Sequence, residues 1–154
     1  MKYILTLTIL LTVAQVTLAQ DDDRRKSVQN WSKLTQVDFV KSNDGYAEVY
    51  LPEFSAAIEA MEDQEILLQG YIVPNDGLFS ADEFIISSLP LAQCFFCGGD
   101  SGPESVAYVY PKKNTEYTAK LVTIKGTFKL NRMDSNNLLY MIYDASVEEA
   151  KVVK

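Results

Sequence analysis

Residues 119–130 hold the clearest alternation in the chain. Val122, Ile124, Phe128 and Leu130 fall on one face, and Thr123, Lys125, Thr127 and Lys129 fall on the other. A period of two sustained over this length commits the stretch to a β-strand with one buried face. Gly126 interrupts it, and Gly70 interrupts a second such run, Leu67 to Ile72. Glycine weakens a strand, so at mid-strand it marks a bulge, a sharp bend or a close neighbour. Two long strands bent at their middles can pair on both sides and close a small barrel. Three further runs, Glu83–Leu89, Ser105–Tyr110 and Leu138–Ala145, join 119–130 and Glu65–Val73 to give five expected strands. The expectation is a mainly β domain, a small five-stranded OB-like barrel preceded by a short helix.

That helix is predicted over 52–62. Leu51, Phe54, Ile58 and Met61 recur at helical spacing, and Pro52 stands where a first turn tolerates it. Asn43-Asp44-Gly45 and Asn75-Asp76-Gly77 read as turns, and 131–137 as a polar loop. Tyr108, Tyr110, Tyr117, Tyr140 and Tyr143 lie on or near strands, where they are expected to pack the barrel. The acidic groups Glu59, Glu62, Asp63, Glu65, Asp82, Glu83, Glu148 and Glu149 read as solvated surface.

The ends divide off from this domain. Lys2, an apolar run from Ile4 to Val13 and Thr17-Leu18-Ala19 have the layout of a secretory signal peptide, with cleavage expected between Ala19 and Gln20. Residues 20–30 are polar and read as a flexible lead-in, 31–147 as the OB-like domain, and 148–154 as a tail. The expected location is the periplasm or outside the cell, with no membrane anchor, because the apolar run is too short to span a bilayer. Without its first 19 residues, whose one charge is Lys2, the 154-residue chain goes from a net charge of −7 to −8. Such acidity argues against nucleic acid as a partner. Histidine is absent, which removes the commonest metal ligand and general base and every histidine-dependent triad.

Chemistry concentrates in 94–105, which holds both cysteines and three of the seven glycines. Cys94 and Cys97 admit three readings. A structural disulfide would close a small ring, contributing about 2 kcal/mol or less. Two thiolates supply half of a tetrahedral zinc site or a near-linear copper(I) site, with Asp100, Glu104, water or a second subunit completing it. Thiol–disulfide exchange uses the same spacing, but in a βαβ setting that is missing here. Gly98 stands where covalent haem attachment needs histidine. Gly98, Gly99 and Gly102, with Pro103 following, set the loop geometry by allowing positive φ in a tight turn. An anion cradle is disfavoured by Asp100 and Glu104.

Gln69-Gly70-Tyr71-Ile72-Val73-Pro74, the Cys94-Phe95-Phe96-Cys97-Gly98-Gly99 loop running on to Gly102-Pro103-Glu104-Ser105, and Lys125-Gly126-Thr127-Phe128-Lys129-Leu130-Asn131 occur in that order. Together they resemble the DUF3299 family of exported bacterial proteins of unknown function, in its Bacteroidetes-type form, over roughly Trp31 to Ala145. The resemblance implies an OB-like periplasmic domain working beside an ABC-type transporter linked to metal supply. Many relatives carry a cysteine and a histidine before a proline run. Here both positions are cysteine and glycines follow, which softens any metal site toward zinc or copper(I). Asp100-Ser101 also lengthens the loop. The expected function is a non-enzymatic binding or accessory module in metal handling, with a periplasmic or membrane transport protein as partner. The alternatives are a thiol–disulfide exchange protein and an interaction domain with an inert disulfide.

Overall fold

The computed structural model describes residues 21–43, 48–74, 82–133 and 137–150, with Ser42, Asn43, Glu48, Val49 and Cys97 described by backbone alone. A helix (α1) covers 21–34. It leads into a hairpin of β1 (Val37–Asn43) and β2 (Glu48–Phe54), then a one-turn helix α2 (Ala56–Glu59). The barrel strands follow: β3 (Glu65–Ile72), β4 (Phe84–Ser87), β5 (Val106–Pro111), β6 (Leu121–Leu130) and β7 (Tyr140–Glu149). Three single 3-10 turns, Leu91–Gln93, Phe95–Cys97 and Pro103–Ser105, bridge β4 to β5.

The five strands close in the order β3–β4–β5–β7–β6, with β6 returning to β3. Every neighbouring pair is antiparallel except β5 with β7. Counted along the chain, that order is 1-2-3-5-4 with the third and fifth strands parallel, the OB-like arrangement expected from the sequence. Alternation along β6 is realised: Val122, Ile124, Phe128 and Leu130 are buried inside. They meet Leu68, Ile72, Phe84, Ile86, Val109, Tyr140 and Ile142. Leu34, Ile58 and Met61 belong to the same core.

The two mid-strand glycines answer to different constraints. Between the pairs Lys125↔Ser146 and Thr127↔Tyr143, β7 carries two residues opposite Gly126 alone. One of them, Asp144, has a φ of 51°. This is a β-bulge, and a Cβ on Gly126 would lie 2.7 Å from the Tyr143 carbonyl oxygen. Gly70 instead gives room where β4 joins β3, since its Cβ would lie 2.6 Å from the Ser87 carbonyl oxygen.

Three boundaries differ from expectation. The polar stretch 20–30, read as a flexible lead-in, is helical from 21 onward and docked. The β3–β4 ladder pairs only Tyr71↔Ser87 and Ile72↔Ile86, which leaves the backbone of Leu67 and Gln69 without a strand on that side. Polar side chains of α1 take the place of one. Ser27 Oγ accepts the Gln69 N–H at 2.7 Å, Asn30 Nδ2 donates to the Leu67 carbonyl at 2.9 Å, and the Trp31 indole donates to the Gln69 carbonyl at 2.9 Å. Within this hydrophilic stretch Ser27 and Asn30 serve a buried edge, while Asp21, Arg24, Arg25, Lys26 and Gln29 form the exposed side of the helix.

The helix expected over 52–62 starts only at Ala56, where Ser55 caps it by accepting the Ile58 N–H. Leu51, Pro52 and Phe54 belong to β2. Pro52 lies across from Phe39 in a ladder of two strands, where an edge tolerates a residue without N–H. At the other end, β7 runs beyond Ala145, where the strand was expected to end, into the tail. Glu148 lies opposite Thr123 and Glu149 opposite Val122, so the tail extends the strand to Glu149. Lys120 holds Glu149 at 2.9 Å. The signal peptide, both Asp-Gly turns and residues 151–154 of the tail lie outside the described residues.

Candidate functional site

The cysteine loop is a folded wall on the outer face of β4 and β5. Successive 3-10 turns bring Cys94 N–H to the Leu91 carbonyl (3.2 Å) and Gly99 N–H to the Cys94 carbonyl (3.1 Å). Ser101 Oγ donates to the Gln93 carbonyl at 2.9 Å, and Ser105 Oγ to that of Gly102 at 2.7 Å. Of the three glycines, Gly98 alone has a positive φ, 83°. Gly99 is required for closeness, because a Cβ there would run into the Gln93 carbonyl, and Gly102 lies under the carboxylate of Glu104. Pro103 opens the last 3-10 turn.

Cys94 has a free thiol that is fully buried. It sits in a satellite cluster with Val73, Ile85 and Val106, against which Phe96, Tyr108 and Leu138 pack. In that setting the side chain behaves as a small hydrophobe. The described residues gather no group of three or more cysteine, aspartate or glutamate side chains around a common point. Asp100 is exposed, and Glu104 folds back over Gly102. Cys94→Ala is expected to cost about 1 kcal/mol, the scale for losing one buried heavy atom. Urea unfolding checks this, and a change near zero would mean that the thiol is not packed as described.

Outside this wall lies a cleft of about 430 Å³. Phe95, Phe96 and Pro103 of the loop form one side, and Phe39, Tyr50 and Pro52 of the hairpin form another. Ile85 and Tyr108 of the barrel contribute to the lining, as do Asn131, Arg132, Met133 and Leu138 from the β6–β7 connection. Of the eight large hydrophobic side chains exposed among the described residues, four border this cleft: Phe39, Tyr50, Phe95 and Met133. Their concentration matters more than their exposure, since scattered apolar surface is ordinary. The location matters too. The second and third barrel strands and the loop between the fourth and fifth form the surface through which OB barrels bind ligands.

Electrostatics at one end are set by Arg132. Its guanidinium reaches Glu59 at 3.0 Å and Glu62 at 2.8 Å, and lies 6.0 Å from the centre of the Phe54 ring. The hydrogen bond from Arg132 outweighs burial and holds the Glu62 carboxyl below its usual range. These two acids, read as solvated surface, are therefore partners of a lining residue. Tyrosines also depart from the barrel-packing expectation. Only Tyr140 is in the core. Tyr108, Tyr110 and Tyr143 stack in a row across β5 and β7, with centroids 6.0 and 4.6 Å apart and planes inclined by 21° and 6°. Burial, ahead of the neighbouring phenols and Glu83, raises the Tyr110 pKa.

Sequence reasoning located the loop and missed the hairpin that faces it. The usable signal was Asn43-Asp44-Gly45 flanked by Val37–Val40 and Val49–Leu51, a turn between two short apolar runs. Among the described residues, no helix is long and apolar enough to cross a membrane. No family model, no curated protein and no solved structure matches the chain.

Proposed function

We propose that this protein is an exported, non-enzymatic OB-like binding module whose ligand occupies the cleft between the cysteine loop and the β1–β2 hairpin. One observation carries the reading: a concave, mainly apolar site of about 430 Å³ with five aromatic rings lies on the face where an OB barrel presents ligands. The cysteine loop then acts as a wall, with Cys94 anchoring it from below and Phe95 and Phe96 contributing their rings. The periplasmic setting, the transport-protein partner and the DUF3299 kinship belong to the same proposal and rest on the sequence.

Metal handling through Cys94 and Cys97, with zinc or copper, requires the Cys94 sulfur to leave its apolar cluster. Thiol exchange makes the same demand, since reactive thiols need access. Zinc or copper(I) retained by the native protein and lost from Cys94→Ser/Cys97→Ser would transfer the function to the thiols.

The cleft reading is tested with 1-N-phenylnaphthylamine, an uncharged dye that brightens in apolar sites. Saturable binding at one equivalent is expected, and Phe95→Ser or Tyr50→Ser should weaken it at least tenfold while the far-ultraviolet circular dichroism is unchanged. Absence of saturable binding, or variants that bind as the native protein does, would sink the proposal.

A further inference from the structure

The geometry points to a quaternary ammonium group as what the cleft receives, an inference that rests on reading the cleft as a ligand site. Five rings from four separate elements line it: Phe39, Tyr50, Phe95 with Phe96, and Tyr108. The face of each ring carries the negative side of its quadrupole, which attracts a cation. Phe95 and Phe96 meet at 74° with centroids 5.2 Å apart, so their planes form a corner and not a flat wall. Tyr108 is backed by Tyr110, itself stacked on Tyr143, which fixes its plane before a ligand arrives.

Charge selects the sign of the guest. Arg132 is the one charged side chain among the described lining residues, and it is engaged by both Glu59 and Glu62. Two carboxylates against one guanidinium leave that end of the cleft with a net charge of about −1. An anion would find no uncommitted cation in the lining. A cation would find aromatic faces and an excess of negative charge, in a chain whose net charge is −7.

A cation without N–H donors makes the fewest demands on this mainly apolar lining. A primary ammonium brings three N–H donors, each needing an acceptor once it leaves water. The amide of Asn131 is already used: it donates to the carbonyls of Asn137 and Leu138 and accepts the Met133 N–H. A trimethylammonium group has no N–H to satisfy and presents methyl surface to the rings. The remaining volume accommodates the chain attached to it.

The test compares choline with 3,3-dimethyl-1-butanol, its uncharged carbon isostere, by isothermal titration of the full chain at constant ionic strength. Choline is expected to bind about tenfold tighter, the scale of a desolvated cation–π contact. Phe95→Leu and Tyr108→Leu keep apolar volume and remove a ring face. Each should cut the preference for choline several-fold, while an unchanged far-ultraviolet circular dichroism spectrum and urea midpoint show that the fold is intact. Equal affinity for the two compounds, or leucine variants that keep the full preference, overturns this inference and leaves the cleft standing. Failure of the dye and of choline together overturns the cleft itself.

Discussion

Trp31→Ala is expected to lower the unfolding free energy by about 3 kcal/mol, a large share of the 5–15 kcal/mol typical of a domain. The half-buried indole packs against the core, and its N–H serves the Gln69 carbonyl on the uncovered side of β3. Truncation removes that packing and leaves the carbonyl without its partner, which adds to the loss. Trp31→Phe separates the two contributions, keeping most of the packing and costing about 1 kcal/mol for the hydrogen bond. Urea titration followed by far-ultraviolet circular dichroism reads both, since Trp31 is the chain's only tryptophan and its fluorescence goes with it. A loss below 1 kcal/mol in the alanine variant would show that α1 does not complete the barrel.

The second large effect belongs to Tyr140, the largest fully buried side chain among the described residues. Its hydroxyl donates to the Leu34 carbonyl at 2.6 Å, tying the end of α1 to β7. Tyr140→Phe leaves that carbonyl unpaired, at an expected cost of about 1–3 kcal/mol near neutral pH. Burial, with a smaller push from Glu104, raises the Tyr140 pKa well above that of a free phenol. The folded protein therefore keeps this phenol neutral at pH values where the unfolded chain, with a pKa near 10, has released its proton. Above about pH 10 the unfolded state binds fewer protons, so stability falls as pH rises. Thermal unfolding between pH 8 and 11 should decline less steeply in Tyr140→Phe than in the native protein. Some decline should remain, because Tyr110 is shifted in the same direction. Identical slopes would contradict a buried, neutral hydroxyl.

The barrel was legible in the sequence because β6 buries one face and keeps period-two alternation, while β4, buried on both faces, reads as a short apolar run. Gly126 and Gly70 pointed correctly to special backbone positions, although one marks a bulge and the other a close approach. The first helix was not legible. Hydropathy treats Ser27 and Asn30 as surface, whereas their side chains complete the unpaired edge of β3. Leu51, Phe54, Ile58 and Met61 misled for another reason: their spacing runs across a junction where β2 ends and α2 begins. The cysteine loop announced itself as a place, but its composition could not reveal that Cys94 faces a satellite core. The cleft had no local signature, since its walls come from stretches near residues 39–52, 95–108 and 131–139, which only the closed barrel brings together.

The bond between Tyr140 and Leu34 joins residues 106 positions apart. Helix α1 therefore has no complete berth until β7 exists. Docking of α1 must wait for β7, and a chain interrupted before residue 140 carries that helix with nowhere to finish docking. Closure of so long a loop comes late and slowly. Assembly of α1 onto the barrel thus depends on β7, the same strand that joins β5 to β6 and closes the ring.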